Sequence, residues 1–181
     1  DVPLPGQGTV DISYSYTGSG NTLTPDFREL DVAQGNTIST DYTSLGFTGT
    51  SVPGLRNKIA ATQTGTLTYN FDQPVSNINL LMFDVDWDDA IAITAIDANG
   101  NTITDFSGWT FNTGDLTSPI DAAPATWNAA TGVISSTVNA NGERNFAMLT
   151  PDVPLSQVQF SFTGTTDPNN NSPHTQYSIY S

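Results

Sequence analysis

Asp84, Asp86, Asp88 and Asp89 fall within one short stretch of the sequence, with Trp87 set among them. Carboxylates this close repel one another unless a cation lies between them. An all-oxygen donor set of this kind suits Ca²⁺, which takes about six to eight oxygens at ~2.3–2.6 Å. Alternate side chains of an extended segment point to one side. Asp84 and Asp86 can therefore grip one ion while Asp88 and Asp89 serve it or a neighbour. The four basic residues of the chain, Arg28, Arg56, Lys58 and Arg144, are all remote in sequence, so a bound metal is the simplest counter-charge. The competing reading is a solvated acidic loop. Apolar runs on both flanks weigh against it, because a loop abutting core strands is incompletely screened by salt and water. The spacing is not that of an EF-hand, which needs a glycine at the sixth position and a closing glutamate.

A second group of residues has the types for ligand contact. Trp87, Trp109 and Trp127 sit in or beside expected loops, as do Tyr42 and the polar run Asn169, Asn170, Asn171 and His174. Aromatic rings beside a Ca²⁺ ion can hold a sugar by stacking and diol coordination. They can equally hold a peptide end through its carboxylate and an apolar pocket. Trp109 and Trp127 read more simply as core. Catalysis has little to stand on: His174 is the sole histidine, so no Ser-His-Asp set can be argued from it. A glycosidase needs a carboxylate pair with one member's pKa raised, and the paired aspartates are already assigned to an ion. No phosphate loop, zinc motif or dinucleotide fingerprint is present. The expectation is a binding protein and not an enzyme.

The elements that must position these residues are strands. Apolar and β-branched runs recur at 10–16, 27–32, 36–43, 65–71, 77–85, 90–96, 101–105, 109–111, 133–138, 145–149, 157–163 and 176–180, separated by Gly, Asn, Asp and Pro turns. Such short strands at regular spacing predict an all-β fold, an antiparallel, jelly-roll-like β-sandwich of about 10–12 strands with long loops. Asp97-Ala98-Asn99-Gly100 predicts a hairpin turn, and 122–130 a loop or hairpin in preference to a helical turn. No internal linker appears, so residues 1–181 are expected to be one domain, excised from a longer multidomain chain.

One segment is echoed. Residues 72–82 align without a gap on 152–162, each with a proline, then a serine, then apolar residues at every second position. Ile78, Leu80 and Met82 are thereby matched to Val158, Phe160 and Phe162 as core-facing residues. Leu81, Phe83, Val85 and Trp87 fall on the opposite face, so the first strand is expected to be covered on both sides. The echo is either a shared local start or a true structural correspondence. In the second case both strands leave the sandwich at the same edge, and Asp167 with Asn169, Asn170 and Asn171 completes the ion's coordination.

Composition narrows the classes further. A net charge of −14 argues against nucleic acid, whose binding rests on Lys and Arg, and against anionic membranes. Of the eighteen acids only Glu29 and Glu143 are glutamates, which suits turns and short metal loops over helices. Aromatic residues make up 10%, enough for a packed core. The chain has no cysteine, so disulfides and thiolate metal sites are excluded. No apolar run approaches membrane-spanning length.

The stretch DQPVSNINLLMFDVDWDDAIAITAIDANGN, from Asp72, resembles a pattern in β-sandwich modules of large, secreted, Ca²⁺-dependent bacterial adhesins of the RTX type. PLSQVQFSFTGTTDPNNNSPHTQYSIYS, from Pro154, resembles the last two strands of the same modules. The resemblance spans roughly residues 66–105 and 150–181. It implies an extracellular, monomeric module at the bacterial cell surface, with Asp84 and Asp86 as Ca²⁺ ligands. Its expected partner is a peptide or protein end on another cell. A carbohydrate ligand, or a Ca²⁺-rigidified spacer, are the other readings. Those modules often end in Ser-Asp where this chain has Tyr180-Ser181, so a ligand from the last strand is not implied.

Overall fold

Alternating apolar and polar side chains build the sheets. The burial of Thr64–Val75 switches residue by residue along most of its length, as does that of Ala90–Asp97, the period of a strand with one face against a core. The computed structural model describes residues 2–4, 8–18, 23–29, 51–58, 64–83, 85, 90–115, 125–136, 145–163 and 174–180. Its strands are β1 (Val2–Leu4), β2 (Gly8–Val10), β3 (Ile12–Gly18), β4 (Leu23–Glu29), β5 (Ser51–Lys58), β6 (Thr64–Val75), β7 (Asn79–Phe83), β8 (Ala90–Asp97), β9 (Thr110–Asp115), β10 (Ala125–Asn128), β11 (Val133–Ser136), β12 (Asn145–Thr150), β13 (Leu155–Thr163) and β14 (His174–Tyr180). No helix occurs among the described residues.

The fold is an all-β sandwich. The first sheet has the order β10-β11-β8-β13-β6-β3, the second β4-β5-β14-β7-β12-β9, and β1 and β2 form a separate hairpin. Every pairing is antiparallel. Leu67, Ile93, Val158 and Phe160 of the first sheet share one core cluster with Leu80, Met82, Ala147 and Leu149 of the second.

The sheets differ on their outer faces. Leu81, Phe146 and Met148 are buried although they alternate with the core residues of β7 and β12. β7 and β12 are thus covered on both sides at these positions, as expected for the 77–85 strand. Val85 departs from that expectation. β7 ends at Phe83, strict alternation ends with it, and Val85 joins the main core.

Two further differences have local causes, and one expectation is met. Residues 101–105 form a single bridge, Ile96 to Thr102, and no strand, because the chain leaves β8 directly after the turn. β5 carries Pro53 and Gly54, which hid it as a strand in the sequence. Residues 125–128 form a hairpin with β11, where a loop or hairpin was expected.

The echoed segments lie in opposite sheets. Ile78, Leu80, Met82, Val158, Phe160 and Phe162 are all buried in the same cluster, so the core-facing assignment is correct. β7 and β13 face one another across that cluster and run toward the same end of the sandwich, β7 to Phe83 and β13 to Thr163.

Candidate functional site

Register decides what meets at that end. In the first sheet Gly18 pairs with Gly65, Thr64 with Thr163, Thr163 with Ala90, Ala90 with Ser135, and Ser136 with Ala125. In the second, Leu23 pairs with Asn57, Lys58 with His174, Gln176 with Phe83, Phe83 with Phe146, and Asn145 with Asp115. The links β3–β4, β5–β6, β7–β8, β9–β10, β11–β12 and β13–β14 each pass from one of these rows to the other. The two rows are therefore the same end of the sandwich.

Two links share both of their anchor points. The segment 84–89 runs from Phe83 to Ala90. The segment 164–173 runs from Thr163, the partner of Ala90, to His174, two residues before Gln176, the partner of Phe83. Asp84, Asp86, Trp87, Asp88, Asp89, Asp167, Asn169, Asn170, Asn171 and Tyr42 themselves lie outside the described residues. His174 opens β14, with its backbone opposite Lys58.

Distance in sequence misjudged the cations. Lys58 ends β5 in the same row, and Arg144 immediately precedes β12, whose Phe146 pairs with Phe83. With Arg56, whose backbone lies opposite Gln176, the partner of Phe83, three of the four basic residues are thus tied to the acidic end. They do not balance it: the links and their strand ends also contain Asp84, Asp86, Asp88, Asp89, Asp115, Asp121, Glu143 and Asp167.

At the opposite end the carboxylates have other work. Asp97 Oδ1 accepts the backbone N–H groups of Asn99 and Asn101, each at 2.8 Å, and Asn101 Nδ2 donates to Asp97 Oδ2 at 3.1 Å. The backbone N–H of Asn101, chief among these donors, holds the Asp97 carboxyl below the usual carboxylate range. Asp105 Oδ1 accepts the Ser107 N–H at 2.9 Å, and its pKa is lowered for that reason. Asp72 Oδ1 accepts the Asp11 N–H at 3.1 Å. These aspartates hold turns and strand ends. Among the described residues no group of three His, Asp or Glu is placed to hold a metal ion.

Trp109 and Trp127 belong to the core, as expected. Phe106 packs edge-on against both, at 4.9 and 5.7 Å between ring centroids, and Trp127 stacks on Phe111 at 6.3 Å. Trp127 closes the gap between edge strands β10 and β9. Both indole N–H groups are buried without an acceptor among the described residues, and the geometry offers no physical account of that.

No family model matches this chain, and no curated protein is similar to it. A solved structure with some likeness is the enzymatically active domain of bacteriophage CBA120 tailspike protein 4, at 14% identity and a TM-score of 0.39. The alignment covers 93% of this chain and 19% of that one. A likeness at that level bears on neither mechanism nor partner. No helix among the described residues is long and apolar enough to cross a membrane.

Proposed function

We propose that this chain is a calcium-dependent, non-catalytic ligand-binding module of a bacterial surface adhesin, working outside the cell. It takes a peptide or protein end on another cell into a pocket organised by Ca²⁺ at the acidic end of the sandwich. In this reading Asp84, Asp86, Asp88, Asp89 and Asp167 supply the oxygens, and one or more ions bind. Trp87, Tyr42, His174 and Asn169, Asn170 and Asn171 contact the ligand.

The observation that carries the reading is the shared anchoring of two links. Phe83 lies beside Gln176 and Ala90 beside Thr163, so the Asp-rich segment and the Asp167 segment span the same two points. A multidentate oxygen site needs donors from more than one segment, since Ca²⁺ takes more ligands than four neighbouring side chains readily supply. A carboxylate ligand suits such a site, because it can fill an open coordination position that protein oxygens leave. The strongly acidic end repels a free carboxylate unless the cation is present, which makes calcium a requirement for binding.

The test is an array of peptides with free and amidated C-termini, together with glycans, probed with the whole chain in millimolar Ca²⁺ and in EDTA. Binding to free C-termini in Ca²⁺ alone is the expected result. Peptide binding that persists in EDTA, or that ignores amidation, overturns the peptide-end reading. Capture by glycans that simple sugars compete away assigns the site to carbohydrate instead.

A further inference from the structure

The outer face of the first sheet is uncharged across all six strands. Outward positions from Ser13 to Thr17 on β3, Thr64 to Asn70 on β6, Gln157 to Ser161 on β13, Ala90 to Ile96 on β8, and on β11 and β10 include no Asp, Glu, Lys or Arg. They are mainly Ser, Thr, Asn and Gln. None of them is buried, and they range from half-buried to exposed, unlike Leu81, Phe146 and Met148 on the outer side of β7 and β12. Asp11, Asp72 and Asp97 border it at one end. Charged residues make up 12% of the chain, and none of them stands at these positions. In a chain of net charge −14, this face is therefore electrically neutral while the acidic residues gather elsewhere.

The side chains are also held in place. Thr94 Oγ1 donates to Gln159 Oε1 at 3.2 Å, and Gln159 Nε2 donates to Thr68 Oγ1 at 3.0 Å, a run across three strands. Gln157 Nε2 donates to Asn70 Oδ1 at 2.7 Å. Thr66 and Ser161 hydroxyls share a bond at 3.3 Å, and those of Thr126 and Ser135 one at 3.2 Å. Groups fixed this way lose little further freedom on binding. Each glutamine spends one amide N–H here, so the face still offers both donors and acceptors.

From this chemistry we infer that the outer face of the first sheet is a docking surface for a neutral polysaccharide, separate from the acidic end and independent of calcium. Charge matching selects the occupant. A face without cations has nothing to hold phosphate, nucleic acid or acidic glycans, and one without anions nothing to hold basic peptides. The lack of Trp, Tyr and Arg at its outward positions removes the anchors on which protein interfaces depend, and it leaves hydrogen bonding, not ring stacking, as the means of holding a sugar here. Hydroxyls and amides that both donate and accept, repeating from strand to strand, match a polymer whose surface is itself hydroxyl groups.

The experiment is retention of the intact chain on insoluble cellulose, chitin and mannan, with polygalacturonate as the acidic control, in Ca²⁺ and in EDTA. Retention on at least one neutral polymer, unchanged by EDTA and absent on polygalacturonate, is expected. Gln157→Ala/Gln159→Ala should weaken it at least tenfold. Thr17→Arg, on the exposed edge strand opposite Thr66 and so clear of both glutamine bonds, should do the same with an unaltered melting curve. No retention on any of the three polymers overturns the proposal. So does retention that survives both substitutions, or retention abolished by EDTA, which would assign sugar binding to the acidic end.

Discussion

Gly100 and Gly132 both take positive φ, +84° and +66°, yet they should respond differently to a methyl group. A Cβ on Gly100 would meet nothing within 4 Å, so Gly100→Ala carries only the left-handed backbone cost of about 1–2 kcal/mol. A Cβ on Gly132 would lie 2.8 Å from the Phe106 ring and 2.9 Å from the Ile93 carbonyl oxygen. Neither can yield easily, since Phe106 is wedged between two tryptophans and the Ile93 N–H is tied to the Gly132 carbonyl. Gly132→Ala adds overpacking of about 1–3 kcal/mol to the backbone cost. Urea titration should place its midpoint well below that of Gly100→Ala, and equal midpoints would contradict the packing described here. Asp97 makes a pH prediction of known sign. Its folded pKa lies below its ordinary value of 3.8, so its turn bonds stabilise the fold above that value. The contribution is lost as pH falls through the lower folded value. A carboxyl NMR titration should give Asp97 a midpoint under 3.8, and Asp97→Ala should remove the corresponding acid-side sensitivity of the 97–101 turn.

β13 shows what a strand discloses in sequence and what it withholds. Its alternation of Val158, Phe160 and Phe162 with Gln157, Gln159 and Ser161 fixes which residues face the core. The echo with 72–82 correctly matched the inward residues of the two strands. What alternation cannot give is the sheet to which each strand belongs: β7 and β13 read alike and lie opposite one another. The same blindness hid Lys58 beside His174, because pairing between β5 and β14 joins residues far apart in sequence and β5 carries breakers in its middle. A strand end was misjudged at Val85, which lies beyond the end of β7 and joins the main core. The candidate site was legible as a composition, four aspartates between two core strands, and its partner link only through the echo. The face assignment on β13 is testable at adjacent positions. Phe160 is fully buried and meets Tyr69 edge-on at 6.1 Å, so Phe160→Ala should cost about 3–5 kcal/mol in chemical denaturation. Gln159→Ala, one residue away on the water-facing side, should cost less than about 1 kcal/mol. Similar costs at the two positions would mean that the register is wrong.

For the molecule as a whole, charge is partitioned by surface: none on the outer face of the first sheet, turn-bound carboxylates at one end, and an excess of carboxylates in the links at the other. General self-repulsion and a specific ion site both predict that added salt stabilises such a protein, and they separate by concentration. Screening depends on the Debye length, which falls from about 10 Å at 0.1 M to about 3 Å at 1 M, so a monovalent salt must reach the molar range to act between near neighbours. A Ca²⁺ site follows mass action: an ion that binds only the folded state stabilises it by about 2.7 kcal/mol at a hundredfold excess over its dissociation constant. Melting curves in millimolar CaCl₂ should therefore lie well above those in EDTA, by more than matched ionic strength in NaCl produces. Asp84→Asn together with Asp86→Asn should abolish the calcium increment while raising the melting temperature in EDTA, because the same substitutions relieve the repulsion that the ion otherwise offsets. A calcium increment equal to that of NaCl at the same ionic strength would reduce the acidic end to a screened loop and remove the ion from the proposed function.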